Sequence, residues 1–137
     1  MEESYRKRIE KLELEVSCLK EAIFLLTTAK AVNPDFAYHD WIIRNGIFDE
    51  KRVSLEWVLY VLESRIRGEK PFQEVQMVQI PNQYLYRDQK PSRKEITDLC
   101  LLVLEMEDQK VVDELFSSLE KQDVYRNLVS HYGKKRE

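Results

Sequence analysis

The stretch Tyr5-Arg6-Lys7-Arg8-Ile9-Glu10-Lys11-Leu12-Glu13-Leu14-Glu15-Val16-Ser17-Cys18-Leu19-Lys20-Glu21-Ala22-Ile23-Phe24-Leu25-Leu26 carries the most regular pattern in the chain. Tyr5, Ile9, Leu12, Val16, Leu19, Ile23 and Leu26 step by 4, 3, 4, 3, 4 and 3, an unbroken heptad seam. Ile9, Val16 and Ile23 fall at a, and Tyr5, Leu12, Leu19 and Leu26 at d. β-Branched residues at a with leucine at d favour a parallel two-stranded coiled coil. In such a dimer each g residue faces the next e residue of the partner helix. This pairs Arg8 with Glu13 and Glu15 with Lys20, opposite in sign both times. The same stripe also suits a helix packed on its own core. Three heptads are the lower edge of what identifies a coiled coil, and each exposed ion pair contributes only about 0–1 kcal/mol. From Ala22 the helix becomes apolar on all sides. Its first part is therefore expected to pair with another chain, and its last turns to enter a globular body.

Outward from this helix, punctuation sets the remaining elements. Gly46, Gly68 and Gly133 each follow a helix-like stretch, where a left-handed residue ends a helix. Asn33-Pro34-Asp35 reads as an N-cap, a proline in the first turn and an acid that complements the macrodipole. Ser92 and Glu95 form a Ser-x-x-Glu capping box, and Asp49 and Asp123 are candidate caps of two further helices. The resulting map has helices at about 3–30, 34–45, 50–67, 93–107, 110–121 and 124–132. The second and third form a helical hairpin within 31–67. Those over 50–67 and 93–107 are apolar nearly all round, at Trp57–Leu62 and Leu99–Leu104, and should be central. A linker at 68–91 contains two β-rich runs around Pro81-Asn82, readable as a short hairpin or as an irregular loop pinned by Phe72, Tyr84 and Tyr86. The expectation is an all-α fold: a heptad helix, then a compact bundle of about five helices, in one domain over 1–137 that ends in a basic tail at 133–137.

Composition agrees and narrows the function. The chain has 137 residues, of which 43% are hydrophobic and 34% charged, so it has the material for a core and is not a disordered segment. No apolar run approaches the roughly 20 residues of a membrane span. Twenty-two Lys and Arg against 25 Asp and Glu leave a net charge of −3, with no global attraction to nucleic acid or anionic lipid. Lys134-Lys135-Arg136 is the only basic cluster and reads as a solvated end. An acidic start without an apolar leader core, and two isolated cysteines, Cys18 and Cys100, fit a cytoplasmic protein.

Catalytic or metal-binding arrangements are not evident. The two histidines, His39 and His131, lack metal-ligand spacing, and neighbouring His39 and Asp40 diverge by about 100° on a helix. The glycines lie too far apart for a phosphate loop. Glu105, Glu107 and Asp108 sit at a helix C-terminus, which disfavours acids, and read as a solvated turn that caps the next helix.

The residues Arg8-Ile9-Glu10-Lys11-Leu12-Glu13, the aromatic helix ending in Gly46-Ile47, and Glu114-Leu115-Phe116 with Leu119, Gln122, Tyr125 and Leu128 carry a resemblance. Over most of its length outside the linker, the chain resembles the YhaI-like family of small helical proteins of Gram-positive bacteria. The linker is longer here, and Asp123 stands where that family is expected to have glycine. The resemblance implies an all-helical fold and assigns no catalytic residue.

The functional expectation is a non-enzymatic interaction or regulatory protein, without cofactor or metal, acting as a parallel homodimer. Tyr5, Ile9, Leu12, Val16, Leu19, Ile23 and Leu26 would carry assembly, with Arg8, Glu13, Glu15 and Lys20 setting orientation. Tyr84, Tyr86 and Arg87 form a candidate surface for another protein, because aromatic residues beside an arginine anchor interfaces. The alternative is a DNA-binding transcriptional regulator, using the basic tail and Arg93-Lys94.

Overall fold

The computed structural model describes residues 2–29 and 33–133; the basic tail expected beyond Gly133 lies outside the described residues. The fold is all-α, and no strand occurs among the described residues, so the linker forms no hairpin. The chain divides into two compact units, 1–33 and 34–137. The first is a single helix, α1 (Glu2–Ala29), which opens with Glu2 and Glu3 where the macrodipole favours acids.

The second unit begins with a 3-10 turn (Pro34–Phe36), so α2 (Ala37–Asn45) starts after the proline and not upon it. Then follow α3 (Asp49–Arg67), the four-residue α4 (Asn82–Leu85) inside the linker, α5 (Arg93–Leu104), α6 (Gln109–Gln122) and α7 (Arg126–Gly133). As expected, α3 and α5 are central. Leu55, Val58, Leu59, Val61 and Leu62 meet Ile96, Leu99, Cys100, Val103 and Leu104 in one buried cluster. α6 packs on α2, and its Val112, Leu115, Phe116 and Leu119 join the same buried cluster.

Four helices of this unit end in the same way. A residue with positive φ follows α2, α3, α5 and α6, and two backbone amides return to the last turn. At α5, Glu105 N–H donates to the Leu102 carbonyl (3.2 Å) and Met106 N–H to the Leu101 carbonyl (3.1 Å). At α6, the Asp123 and Val124 amides do the same to Glu120 and Leu119. This is the Schellman arrangement, in which the left-handed residue is usually glycine. Gly46 and Gly68 fill it at α2 and α3 as expected, but acids fill it at α5 (Glu105, φ 58°) and α6 (Asp123, φ 62°). Asp123 thus ends α6 and does not cap α7, and α5 stops at Leu104, short of 107. Gly133, expected in that conformation, instead closes α7 without a positive φ.

N-termini divide similarly. The Ser92 hydroxyl accepts from Glu95 N–H at 3.1 Å, and Asp108 accepts from Lys110 N–H at 2.9 Å, so the acidic turn does cap α6. Asp49, expected to cap α3, has φ 54° and is its first residue, with Phe48 ahead of it and no side-chain cap. α7 draws its cap from another helix, since Glu63 of α3 accepts from Leu128 N–H and from the Asn127 amide, both at 2.8 Å.

The other end of α7 is tied by Tyr132. Its ring stacks on Phe116 at 4.1 Å and lies under the Arg93 guanidinium at 4.0 Å, while its hydroxyl donates to Asp113 at 2.6 Å. Arg93 also donates to the Tyr132 carbonyl. Burial, followed by the hydrogen bond to the Asp113 carboxylate, pushes the Tyr132 pKa up to about 12.

A left-handed non-glycine residue carries a strain of about 1–2 kcal/mol, and the exposed Glu105 makes only a 3.7 Å pair with Lys51. Glu105→Gly should therefore raise unfolding stability by about 1 kcal/mol; urea unfolding that shows a lower midpoint would contradict this. Because the folded pKa of Tyr132 is raised, its stabilisation is complete below the ordinary tyrosine pKa of 10.0 and is lost as pH rises toward about 12. Tyr132→Phe should flatten the fall in melting temperature across that window, and an unaltered slope would refute the assignment.

Candidate functional site

The seam of α1 is bare along its whole length. Tyr5, Ile9, Leu12, Val16, Leu19, Ile23 and Leu26 are between 45% and 63% exposed, and Arg8, Glu13, Glu15 and Lys20 flank them as exposed residues. Ile9, Leu12, Glu13, Val16, Ser17 and Lys20 line a shallow depression of about 450 Å³ on this face. Such a depression between successive a and d side chains is where a facing helix inserts a knob. Ala22–Leu26 are exposed as well.

In the second unit, the linker is an irregular strap fastened from beneath by Arg65. This arginine is 3% exposed. Its Nε donates to the Gln89 carbonyl at 3.0 Å, and its Nη1 donates to the Leu85 carbonyl at 3.3 Å and pairs with Glu95 at 3.0 Å. The capping box at α5 is therefore only half used, because Arg65 takes the carboxylate that would have reached back to Ser92. Ile80 and Leu85 anchor the strap by complete burial, in addition to Phe72, Tyr84 and Tyr86, the anchors expected if the linker is an irregular loop. Of those three, Phe72 sets its ring against Trp57 at 5.4 Å while remaining 76% exposed.

Tyr86 is turned inward. Its hydroxyl accepts from Trp57 Nε1 at 2.8 Å and donates to the Val75 carbonyl at 2.5 Å. Burial, the largest cause, raises its pKa. Tyr84 and Arg87 stay together at the surface, with the guanidinium 5.4 Å from the ring centre. They share a depression of about 360 Å³ with Ser92, Lys94, Glu95, Asp98, Leu99 and Leu102. The structure thus brings two of the three candidate partner residues onto one face and commits the third to holding the strap.

A larger groove, of about 670 Å³, has no counterpart among the sites expected from the sequence. It lies between the start of α3 (Asp49, Glu50, Val53, Ser54, Trp57) and the strap (Val75–Gln79). The only signal in the sequence was Val53, an apolar residue 69% exposed among the charged residues that open α3.

The reactive side chains occupy separate places. Cys100 is fully buried, and burial pushes its thiol up to about 12, far from a reactive thiolate. Cys18 is exposed on α1. His39 is exposed, whereas the partly buried His131 places Nε2 at 2.7 Å from the Pro91 carbonyl. Among the described residues, no three His, Cys, Asp or Glu side chains converge as a metal ion requires, and no helix is long and apolar enough to cross a membrane. At the start of α5, Arg93 is engaged by Tyr132 and Asp113, and Lys94 pairs with Asp98 at 3.3 Å.

Tyr86→Phe removes the bridge between Trp57 and Val75 while keeping the ring. It should destabilise the body by about 1–2 kcal/mol and alter tryptophan emission, since the Trp57 N–H loses its acceptor. Unfolding and emission identical to wild type would show that the strap is held without this bridge.

No family model matches this chain, and neither a curated protein nor a solved structure matches it.

Proposed function

We propose that this is a non-enzymatic, cytoplasmic interaction protein that works as a parallel homodimer, with α1 as its assembly device. The observation that carries the reading is the exposure, at 45–63%, of all seven a and d residues along a 28-residue helix. A continuous apolar stripe of this kind marks an association surface in a soluble protein. Burying a leucine or isoleucine side chain is worth about 1.5–3 kcal/mol, and the loss of free motion on association costs about 4–15 kcal/mol. Several seam residues must therefore act together, and a full seam meets that requirement.

The charges support a parallel orientation. In register, Arg8 faces Glu13 and Glu15 faces Lys20 across the seam, and these exposed residues contribute more to partner choice than to affinity. With α1 committed to assembly, Tyr84 and Arg87 present an aromatic and cationic face through which the dimer would contact another protein.

Sedimentation equilibrium tests the assembly. Wild type should show a mass near twice 16.5 kDa. Leu12→Asp, which alters only an exposed position of α1, should weaken association by about a hundredfold or more. Wild type sedimenting as a monomer throughout a hundredfold concentration range would overturn the reading.

A further inference from the structure

We propose that a pocket between the end of α3 and the two arms of the linker binds a small zwitterion of the α-amino acid kind, with an oxyanion and an ammonium on one compact molecule. The pocket belongs to the globular unit and does not depend on α1 or its pairing. Its volume is about 300 Å³, at the lower end of the range for small-molecule sites. Val61, Pro71 and Tyr86 supply its apolar surface.

A buried donor points to the oxyanion. Arg65 lines the pocket and is only 3% exposed. Its Nε and Nη1 have acceptors in the Gln89 and Leu85 carbonyls and the Glu95 carboxylate, but Nη2 is buried without a hydrogen-bond partner. An unmet donor on a buried charged group costs more than an exposed one, so an acceptor that reaches it gains correspondingly more. The planar guanidinium matches the oxygens of a carboxylate in geometry and charge.

The charges around it point to the second group. Lys70, Glu74, Arg87 and Asp88 also line the pocket, two of each sign. Glu69, beside them, is held by Arg67 at 3.2 Å. Among the described residues, the other four form no ion pair with one another or with a neighbour. A plain anion would be drawn to Lys70 and Arg87 but repelled by Glu74 and Asp88, and a plain cation would meet the reverse. A molecule that carries both signs is complementary to all four. The end of α3, marked by Gly68 in the pocket wall, favours the ammonium further, because a helix C-terminus carries partial negative charge. These four side chains are exposed and screened by water, so they select the ligand more than they hold it.

The test uses full-length protein and the twenty common amino acids as probes, screened by thermal unfolding and then titrated by calorimetry. At least one should raise the melting temperature and bind at one site per chain. Its deaminated and decarboxylated analogues should each bind about tenfold or more weakly. Glu74→Gln/Asp88→Asn, which alters only exposed side chains, should weaken the amino acid about tenfold and leave the deaminated analogue at least as tight. The NMR signal of the Arg65 guanidinium should shift on binding, while those of Arg52 and Arg126 stay in place. No binding by any of the twenty up to about 10 mM would overturn the proposal. A deaminated analogue as tight as its parent would also overturn it, by assigning the pocket to a simple anion. So would an unmoved Arg65 signal, or full binding by the double variant, since either places the ligand elsewhere. An ordered water as the sole partner of Nη2 in crystals grown with the tightest probe would overturn it too. Because α1 is untouched by these changes, failure here leaves the dimer seam standing, and failure of the seam leaves this pocket open to test.

Discussion

Arg65 is the constraint on which the globular unit depends. A guanidinium is an expensive group to bury, and it is tolerated only where partners compensate it. Here the partners of Nε and Nη1 come from two separate parts of the chain, the Leu85 and Gln89 carbonyls of the linker and the Glu95 carboxylate of α5, while Nη2 is buried without a hydrogen-bond partner. One side chain on α3 thereby fixes the exit of α4, the approach to α5 and half of a helix cap. It replaces the backbone ladder that a sheet would have provided. With the strap held from below, Ile80 and Leu85 bury completely, and Tyr86 can reach both Trp57 and Val75. The groove between α3 and the strap is a consequence of that fastening.

The two units dispose of apolar side chains in opposite ways. In the second, α3 and α5 lie at the centre of a continuous buried cluster, and polar groups at helix ends find partners on other helices, as Glu63 does for α7. In the first, one helix carries a complete heptad seam in the open. A lone helix gains little from intrinsic propensity, and most helical stability in water comes from burying an apolar face. The seam is thus an apolar face with no cover from its own unit, and in the proposed dimer a second copy of the same helix would meet it with matched charges.

Features that depend on near neighbours were legible in the sequence. Heptad spacing marked α1, Gly46 and Gly68 marked the ends of α2 and α3, Ser92 marked the start of α5, and two all-apolar runs marked the central helices. Features that depend on distant partners were not. Nothing local distinguishes Arg65 from the solvated arginines around it, and Glu95 looked like half of a capping box because its competitor lies thirty positions away. Glu105 and Asp123 hid two Schellman ends, since the pattern is recognised by glycine while the backbone asks only for a left-handed residue followed by an apolar contact. The groove was invisible for a similar reason. Val53 and Val78 look like ordinary strand or helix residues until the strap's path shows that both point outward.

Because the seam is the functional claim, its pairing and direction are best measured as a distance between chains. Ser4→Cys with Cys18→Ser leaves one exposed thiol near the start of α1, since Cys100 is buried. A spin label there should report, by pulsed dipolar spectroscopy, an intermolecular distance within about 25 Å, as expected of parallel helices packed 8–10 Å apart. A distance beyond about 35 Å would mean antiparallel pairing, because the two labels would then lie at opposite ends of the helix pair. Absence of any intermolecular coupling would contradict assembly through α1 altogether.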